Sequence, residues 1–480
     1  MNRYFKGMQY LRRRVLTAAV LAVVVVSANT SFGQNLSAPD SLEIGVDSVS
    51  VQVLRETGTP SASVAVVKHG RIVYAQAYGY SRLDPLTVAK PSMRYAIGSI
   101  SKQFTASCIL LLEQEGKLSL SDHVSKWFPD LTDANSVTLR EVLSHTSGYQ
   151  DFWPQDYVPP MMTKPIEPEE ILDRWAEKPL DFAPGTRWQY SNTNYILAGQ
   201  IVKKITHEPF YKFLYDNILK PLDLSSAANF DKGKMTGKDA KGYTEYGLGP
   251  LRPAPDEGSG WMDGAGELAM TASDLAKWDI SIIDESLLQP ESYKQLETEV
   301  LLKDGVGTKY GLGIQVSLMD GHRMLSHSGE VSGFTAFNAV FPDDSAGVAV
   351  LTNQDASSAA GTIGTRIAKL LFKVQDAMTI ARTEQARRIF AGLQKGTIDR
   401  SLFTSDANAY FSDQALKDFQ TGLAPLGEPK EFVQTGESKR GGMTERSFRV
   451  VFPNRTLRVW TYQMPDGKLE QYQVAPVYSN

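Results

Sequence analysis

Three polar clusters along this chain hold the residue types that acyl transfer needs: a hydroxyl, a base within its reach, and donors for an oxyanion. The first lies in "YAIGSISKQFTA", where Ser99 and Ser101 precede Lys102 at the head of an apolar run. In a helix, residues three apart lie about 60° apart around the axis, and adjacent residues about 100° apart. Ser99 and Lys102 therefore share a face, and Ser101 points elsewhere. Ser99 follows Gly98, where a helix would begin and where free N–H groups and the positive dipole end favour negative charge. A serine there could simply be a helix cap, but that leaves the lysine unexplained. A cation in the first turn opposes the dipole by about 0.3–1 kcal/mol, and a capping box would put Glu or Gln where Lys102 stands. A buried lysine beside a hydroxyl can instead lose its proton and act as a base.

The second cluster is Tyr190-Ser191-Asn192, ahead of another apolar run in "WQYSNTNYILAGQIV". The third is His327-Ser328-Gly329 in the β-rich "MLSHSGEVSGF". The ordered set S-x-x-K, Y-x-N and (K/H)-(S/T)-G resembles the serine β-lactamase and penicillin-binding-protein superfamily, in particular class C β-lactamases and related D-amino-acid peptidases and esterases. "LREVLSHTSGYQ", "GAGELAMTASDLAKW", "YGLGIQV" and "FPDDSAGVAVLTN" support it, and the resemblance covers roughly residues 40–372. It implies an acyl-enzyme on Ser99, with Lys102 and Tyr190 sharing proton transfer. How they divide it stays open, since a phenol near a lysine can have a lowered pKa. By the same resemblance Asn192 orients Lys102 and the substrate amide, and the backbone N–H groups of Ser99 and Glu330 form the oxyanion hole. Such donors contribute about 3–4 kcal/mol each in acyl transfer.

His327 departs from the lysine of many β-lactamases. An unperturbed histidine, with pKa about 6.5, is mostly neutral at pH 7 and pulls weakly on a drug carboxylate. This favours an esterase or D-amino-acid peptidase over a β-lactamase or D-Ala-D-Ala carboxypeptidase, and predicts that His327→Lys improves acylation by carboxylate-bearing β-lactams. A reading from another class, a non-catalytic penicillin or peptide sensor, is disfavoured because all three motifs are intact. His145, in "LSHTSG", reads as structural, while Trp153 and Trp261 fit the cleft wall and buried packing equally well.

Other chemistries find little support. There is no G-x-S-x-G elbow, H-E-x-x-H, P-loop or G-x-G-x-x-G. The single cysteine, Cys108, excludes an internal disulfide and a Cys-rich zinc site, so neither metal nor cofactor is expected. A net charge of −4 gives no case for nucleic acid, leaving a small-molecule or peptide substrate.

Placing the three clusters requires a sheet and a helical layer. "SASVAVVKHGRIVYAQAYG", residues 61–79, reads as a hairpin turning at His69-Gly70. Ser101 to Gln114 reads as a helix that Gly116 ends, and Thr271 caps another. From Tyr310 a meander of short strands follows, closed by a helix over "GTRIAKLLFKV". The expected fold is α/β (α+β) and β-lactamase/transpeptidase-like: an antiparallel sheet flanked by helices, a helical lobe, and a separate small C-terminal α+β domain. The expected domains are 34–376 and 379–480, the latter resembling cystatin-like cones. Within it, "DANAYFSDQALKDFQTGLAPLG" is expected to be helical.

Residues 1–33 read as a signal peptide: a basic start, the apolar "VLTAAVLAVVVVSA", then small residues Ser31 and Gly33 before Gln34. The apolar run is short for a bilayer span, which needs about 20 residues. The expectation is an exported protein, periplasmic or extracellular, with no stable membrane span after cleavage; an uncleaved anchor is the alternative.

Overall fold

The computed structural model describes residues 41–233, 235–372 and 377–477. The signal-peptide reading lies outside them. No helix among the described residues is long and apolar enough to cross a membrane.

Strands β1 (Ser61–Lys68) and β2 (Arg71–Leu83) form the expected hairpin. Its turn residues, His69 and Gly70, both have positive φ, 54° and 67°, which matches the twist of a two-residue hairpin. β3 (Leu86–Val88) extends it. Far along the chain come β4 (Gln315–Met319), β5 (His322–Val331), β6 (Phe334–Phe341) and β7 (Ala346–Thr352). β1 pairs antiparallel with β7, Val64 facing Val350, so the two ends join one seven-stranded sheet ordered β3-β2-β1-β7-β6-β5-β4.

Side-chain alternation sends each central strand's residues to two cores. On one face Val64, Val66, Val348 and Val350 pack with helices α1 (Ser41–Thr57) and α5 (Ala359–Leu371), through Val46, Val53, Ile363 and Ile367. On the other, Ala65, Val67, Ala349 and Leu351 meet the lobe inserted between β3 and β4. That lobe includes α2 (Ser101–Gln114), α3 (Asn192–Thr206) and α4 (Ala272–Ile283). Thr271 caps α4 by accepting the Asp274 N–H.

The C-terminal unit has its own core, including Phe390, Phe411, Phe448 and Tyr472. Helix α6 (Ala377–Gln394) is followed by α7 (Ser405–Tyr410) and α8 (Asp413–Leu423). A four-stranded antiparallel sheet follows, β8 (Glu431–Arg440), β9 (Met443–Phe452), β10 (Arg455–Gln463) and β11 (Leu469–Pro476), in chain order. The helical stretch from Asp406 is thus two helices, because Ser412 leaves the helix and caps α8 through the Ala415 N–H.

Candidate active site

Three backbone features bring the clusters together. A 3₁₀ turn, Gly98–Ile100, leads into α2, so Ser99 sits one step before the helix and Lys102 in its first turn. Tyr190 lies in the irregular segment before α3, and Asn192 is the first residue of α3. β5 carries His327 to Glu330 alongside the 97–99 turn. The approach is tight: a Cβ on Gly329 would lie 1.9 Å from Ile97 O, and one on Gly98 (φ 52°) 2.7 Å from Glu330 N. Glycine is required at both places for the backbones of Ser99 and Glu330 to lie this close.

Lys102 Nζ is fully buried and lies 3.0 Å from Ser99 Oγ, 2.9 Å from Asn192 Oδ1 and 2.7 Å from Ala265 O. Burial lowers the lysine pKa to about 7, partly offset by the Asp151 carboxylate. Two of its three partners are carbonyl oxygens, which only accept. A neutral amine has two N–H groups, so its lone pair must then face Ser99, whose hydroxyl can donate to it. Asp151 fixes the Asn192 amide by accepting from Asn192 N at 2.9 Å and Nδ2 at 3.3 Å, which leaves Oδ1 for the lysine. Ser101 points away, as helical spacing requires, and its Oγ accepts the Leu268 N–H.

Tyr190 hydrogen-bonds Ser99, and burial raises its pKa well above the ordinary tyrosine value. The lowered phenol pKa that a nearby lysine could have produced is therefore not found: desolvation outweighs the lowering by the Ser99 hydrogen bond, and the Asp151 charge adds to the rise. The resting pair is a proton-bearing phenol and a lysine poised to be neutral.

The His327 ring is buried against Tyr310, and burial together with Lys102 lowers its pKa to about 4. Nδ1–H donates to Ser328 O, and Nε2 accepts from the Tyr310 hydroxyl at 2.9 Å, so the neutral ring is satisfied at both nitrogens. Its side chain does not line the cleft around Ser99, whereas Glu330 does. Ser328 is exposed and Gly329 buried.

That cleft, of about 400 Å³, is walled by the 151–158 loop, Tyr190, Asn192, Met262 and the end of β5. Trp153 lines it, while Trp261 is buried against Phe152 and donates to Lys164 O. Asp151, Asp156, Glu330 and Asp355 line the wall, and none of the lining residues is Lys or Arg. Sequence reasoning missed Asp151 and the Ala265 carbonyl; only "GAGELAM", which contains Ala265, offered a hint.

The model of the Beta-lactamase family matches residues 46–372. The chain belongs to the β-lactamase family. Protein flp of Staphylococcus aureus (strain MRSA252) is 28% identical over 320 residues, covering 64% of this chain; the chain spans about 62% of that relative's length. Among solved structures, the D-amino acid amidase from Ochrobactrum anthropi SV3 has TM-score 0.62 at 20% identity and covers 68% of this chain and 98% of its own. The octameric penicillin-binding protein homologue from Pyrococcus abyssi has TM-score 0.61 at 23% identity and covers 90% of this chain and 96% of its own. That 90% exceeds what residues 41–372 can supply, so the likeness takes in part of the C-terminal unit. Both likenesses are of fold. The family match agrees with the resemblance that the three motifs carry.

Proposed function

We propose that the protein hydrolyses ester or amide carbonyls through an acyl-enzyme on Ser99, and that its substrates carry an ammonium rather than a carboxylate beside the scissile bond. The first part is carried by the Lys102 Nζ contact with Ser99 Oγ. Neutral Lys102 takes the Ser99 proton as Oγ attacks the carbonyl. The N–H groups of Ser99 and Glu330 hold the oxyanion. Tyr190 gives its proton to the leaving group, and the proton held by Lys102 restores the phenol. Water then attacks the acyl carbonyl, and one of its protons returns to Ser99 Oγ as the acid leaves. No step requires a metal or cofactor.

The substrate preference rests on charge. The cleft lining holds four carboxylates and neither lysine nor arginine. At an effective dielectric near 20, unit charges about 7 Å apart interact by about 2 kcal/mol, roughly 30-fold in affinity. A substrate carboxylate is disfavoured on that scale and an ammonium favoured. The D-amino acid amidase, which has been solved with L-phenylalanine amide and D-phenylalanine, shares this fold, and amino-acid amides and esters fit the charge.

Intact-mass spectrometry with a fluorophosphonate tests the nucleophile: an adduct on Ser99, absent in Ser99→Ala, is expected, and its absence ends the hydrolase reading. Turnover of D-phenylalanine amide, p-nitrophenyl esters and nitrocefin tests the preference, and fast nitrocefin hydrolysis would overturn it. We also propose that residues 1–33 direct export and that 379–480 fold as a domain of their own. N-terminal sequencing of the mature protein, expected to begin at Gln34, tests the export proposal.

A further inference from the structure

Tyr190 is placed by no regular element: residues 177–191 contain neither helix nor strand. What holds this segment is a row of bonds to the loop after the short helix Leu139–Leu143. Asp181 N donates to Gly148 O at 2.9 Å, and Gly185 N to Thr146 O at 2.8 Å. The two bonds that flank Tyr190 both end on one residue, His145. Gln189 N donates to His145 O at 3.0 Å, and Ser191 N to His145 Nδ1 at 3.2 Å. Between them the imidazole packs against the Tyr190 ring at a tilt of 37°, centroids 4.3 Å apart.

The donors around His145 dictate its form. Ser191 N–H can only donate to Nδ1, and the Asn194 amide nitrogen lies 3.4 Å from the same atom. Nδ1 is therefore an acceptor, and the ring proton sits on Nε2. Nε2 is buried without a hydrogen-bond partner among the described residues. The residue holds φ 61°, in the left-handed region where Asn, Asp and His are the non-glycine residues most often found.

We propose that His145 is the positioning residue for Tyr190: its carbonyl and Nδ1 clamp the backbone on both sides of the tyrosine while its ring sets the phenol's orientation towards Ser99. The inference rests on the hydrolase reading above, in which Tyr190 protonates the leaving group. It predicts that damage at His145 carries the signature of damage at Tyr190.

The test compares kcat/KM for ethyl butyrate, whose alkoxide must be protonated as it leaves, with that for p-nitrophenyl butyrate, whose phenolate need not be. His145→Asn keeps an acceptor where Nδ1 stood and tolerates positive φ, whereas His145→Gln places its amide where Nε2 stood. We expect His145→Gln to lower the ethyl ester value about 100-fold, the loss typical of a misplaced catalytic group, and the p-nitrophenyl value by less than about tenfold. His145→Asn recovers most of the loss. In a Tyr190→Phe background His145→Gln costs less than about threefold more, because the two act as one unit. Equal losses on both esters, or full additivity with Tyr190→Phe, would overturn the proposal. If His145→Gln does not fold, the smaller loss in His145→Asn is carried through the same cycle and must likewise vanish on Tyr190→Phe. Failure of the wild type to take a fluorophosphonate on Ser99 would instead sink the hydrolase reading itself.

Discussion

Lys102 Nζ lies 3.0 Å from Ser99 Oγ, and its two other partners are carbonyl oxygens, so on losing its proton its lone pair can face only the serine. With the lysine pKa lowered to about 7, the base form appears as pH rises through neutrality. The value of kcat/KM for p-nitrophenyl butyrate should climb about tenfold per pH unit below that point and level off above it. Lys102→Arg, which stays protonated, should lose about 10²–10⁴-fold and regain nothing up to pH 9. A pH profile of wild type and variant checks both statements.

The same burial has a stability consequence. The folded chain holds Lys102 less protonated than the unfolded chain between about pH 7 and the ordinary lysine value, so stability from this site rises with pH across that window and the full penalty applies below it. Lys102→Met removes the penalty at the cost of unpairing Asn192 Oδ1 and Ala265 O, an offset that does not depend on pH. The stability of Lys102→Met relative to wild type should therefore be better at pH 6 than at pH 9 by about 3 kcal/mol. Urea melts at the two pH values measure it.

Tyr190 keeps its proton at rest, since burial raises its pKa. Removing that proton should matter where the leaving group needs one. Tyr190→Phe is expected to lower kcat/KM for ethyl butyrate by about 10²–10³-fold and for p-nitrophenyl butyrate by less than about tenfold. Equal losses on the two esters would assign Tyr190 a role other than leaving-group protonation.

Much of this was legible from local rules. Helical spacing alone chose Ser99 over Ser101, because side-chain direction around a helix is fixed by the backbone. The hairpin at His69-Gly70 and the join between β1 and the late meander were readable because strands of one sheet share a period and need partners. What stayed hidden depends on contacts between distant segments. Asp151 acts on Lys102 by its charge and through Asn192, across about fifty residues of sequence, and the Ala265 contribution is a backbone carbonyl, which no residue type announces. Helix α1 escaped notice because "VDSVSVQV" alternates as a strand does; its helix is set by Val46 and Val53, seven apart, packing under the sheet. Of Trp153 and Trp261, composition could not tell which is wall and which is core.

The backbone approach at Gly329 gives a steric prediction. Its Cβ would lie 1.9 Å from Ile97 O, two residues before Ser99. Gly329→Ala must push β5 away from the 97–99 turn, at about 1–3 kcal/mol in stability. It should also lower kcat/KM at least about 100-fold by separating the Ser99 and Glu330 N–H groups. Gly361→Ala, the same change in helix α5 where nothing lies within 4 Å, should leave kcat/KM unchanged. Thermal melts run beside the kinetics separate the two effects.

The charge of the cleft decides what a lysine at position 327 can achieve. Sequence alone predicts that His327→Lys improves acylation by carboxylate-bearing β-lactams. The structure buries that ring against Tyr310, off the cleft wall, while Asp156, Glu330 and Asp355 line the cleft itself. Asp156 and Asp355 both act on the Glu330 carboxyl, and burial raises the Glu330 and Asp355 pKa values, so an arriving ammonium relieves mutual repulsion whereas a carboxylate adds to it. We expect His327→Lys alone to change the nitrocefin acylation rate by less than about threefold. Asp156→Asn with Asp355→Asn should raise it about tenfold or more and lower kcat/KM for D-phenylalanine amide in parallel, the scale set by removing two charges at an effective dielectric near 20. Stopped-flow acylation by nitrocefin, with amide turnover on the same preparations, would refute the charge account if the two substrates moved in the same direction.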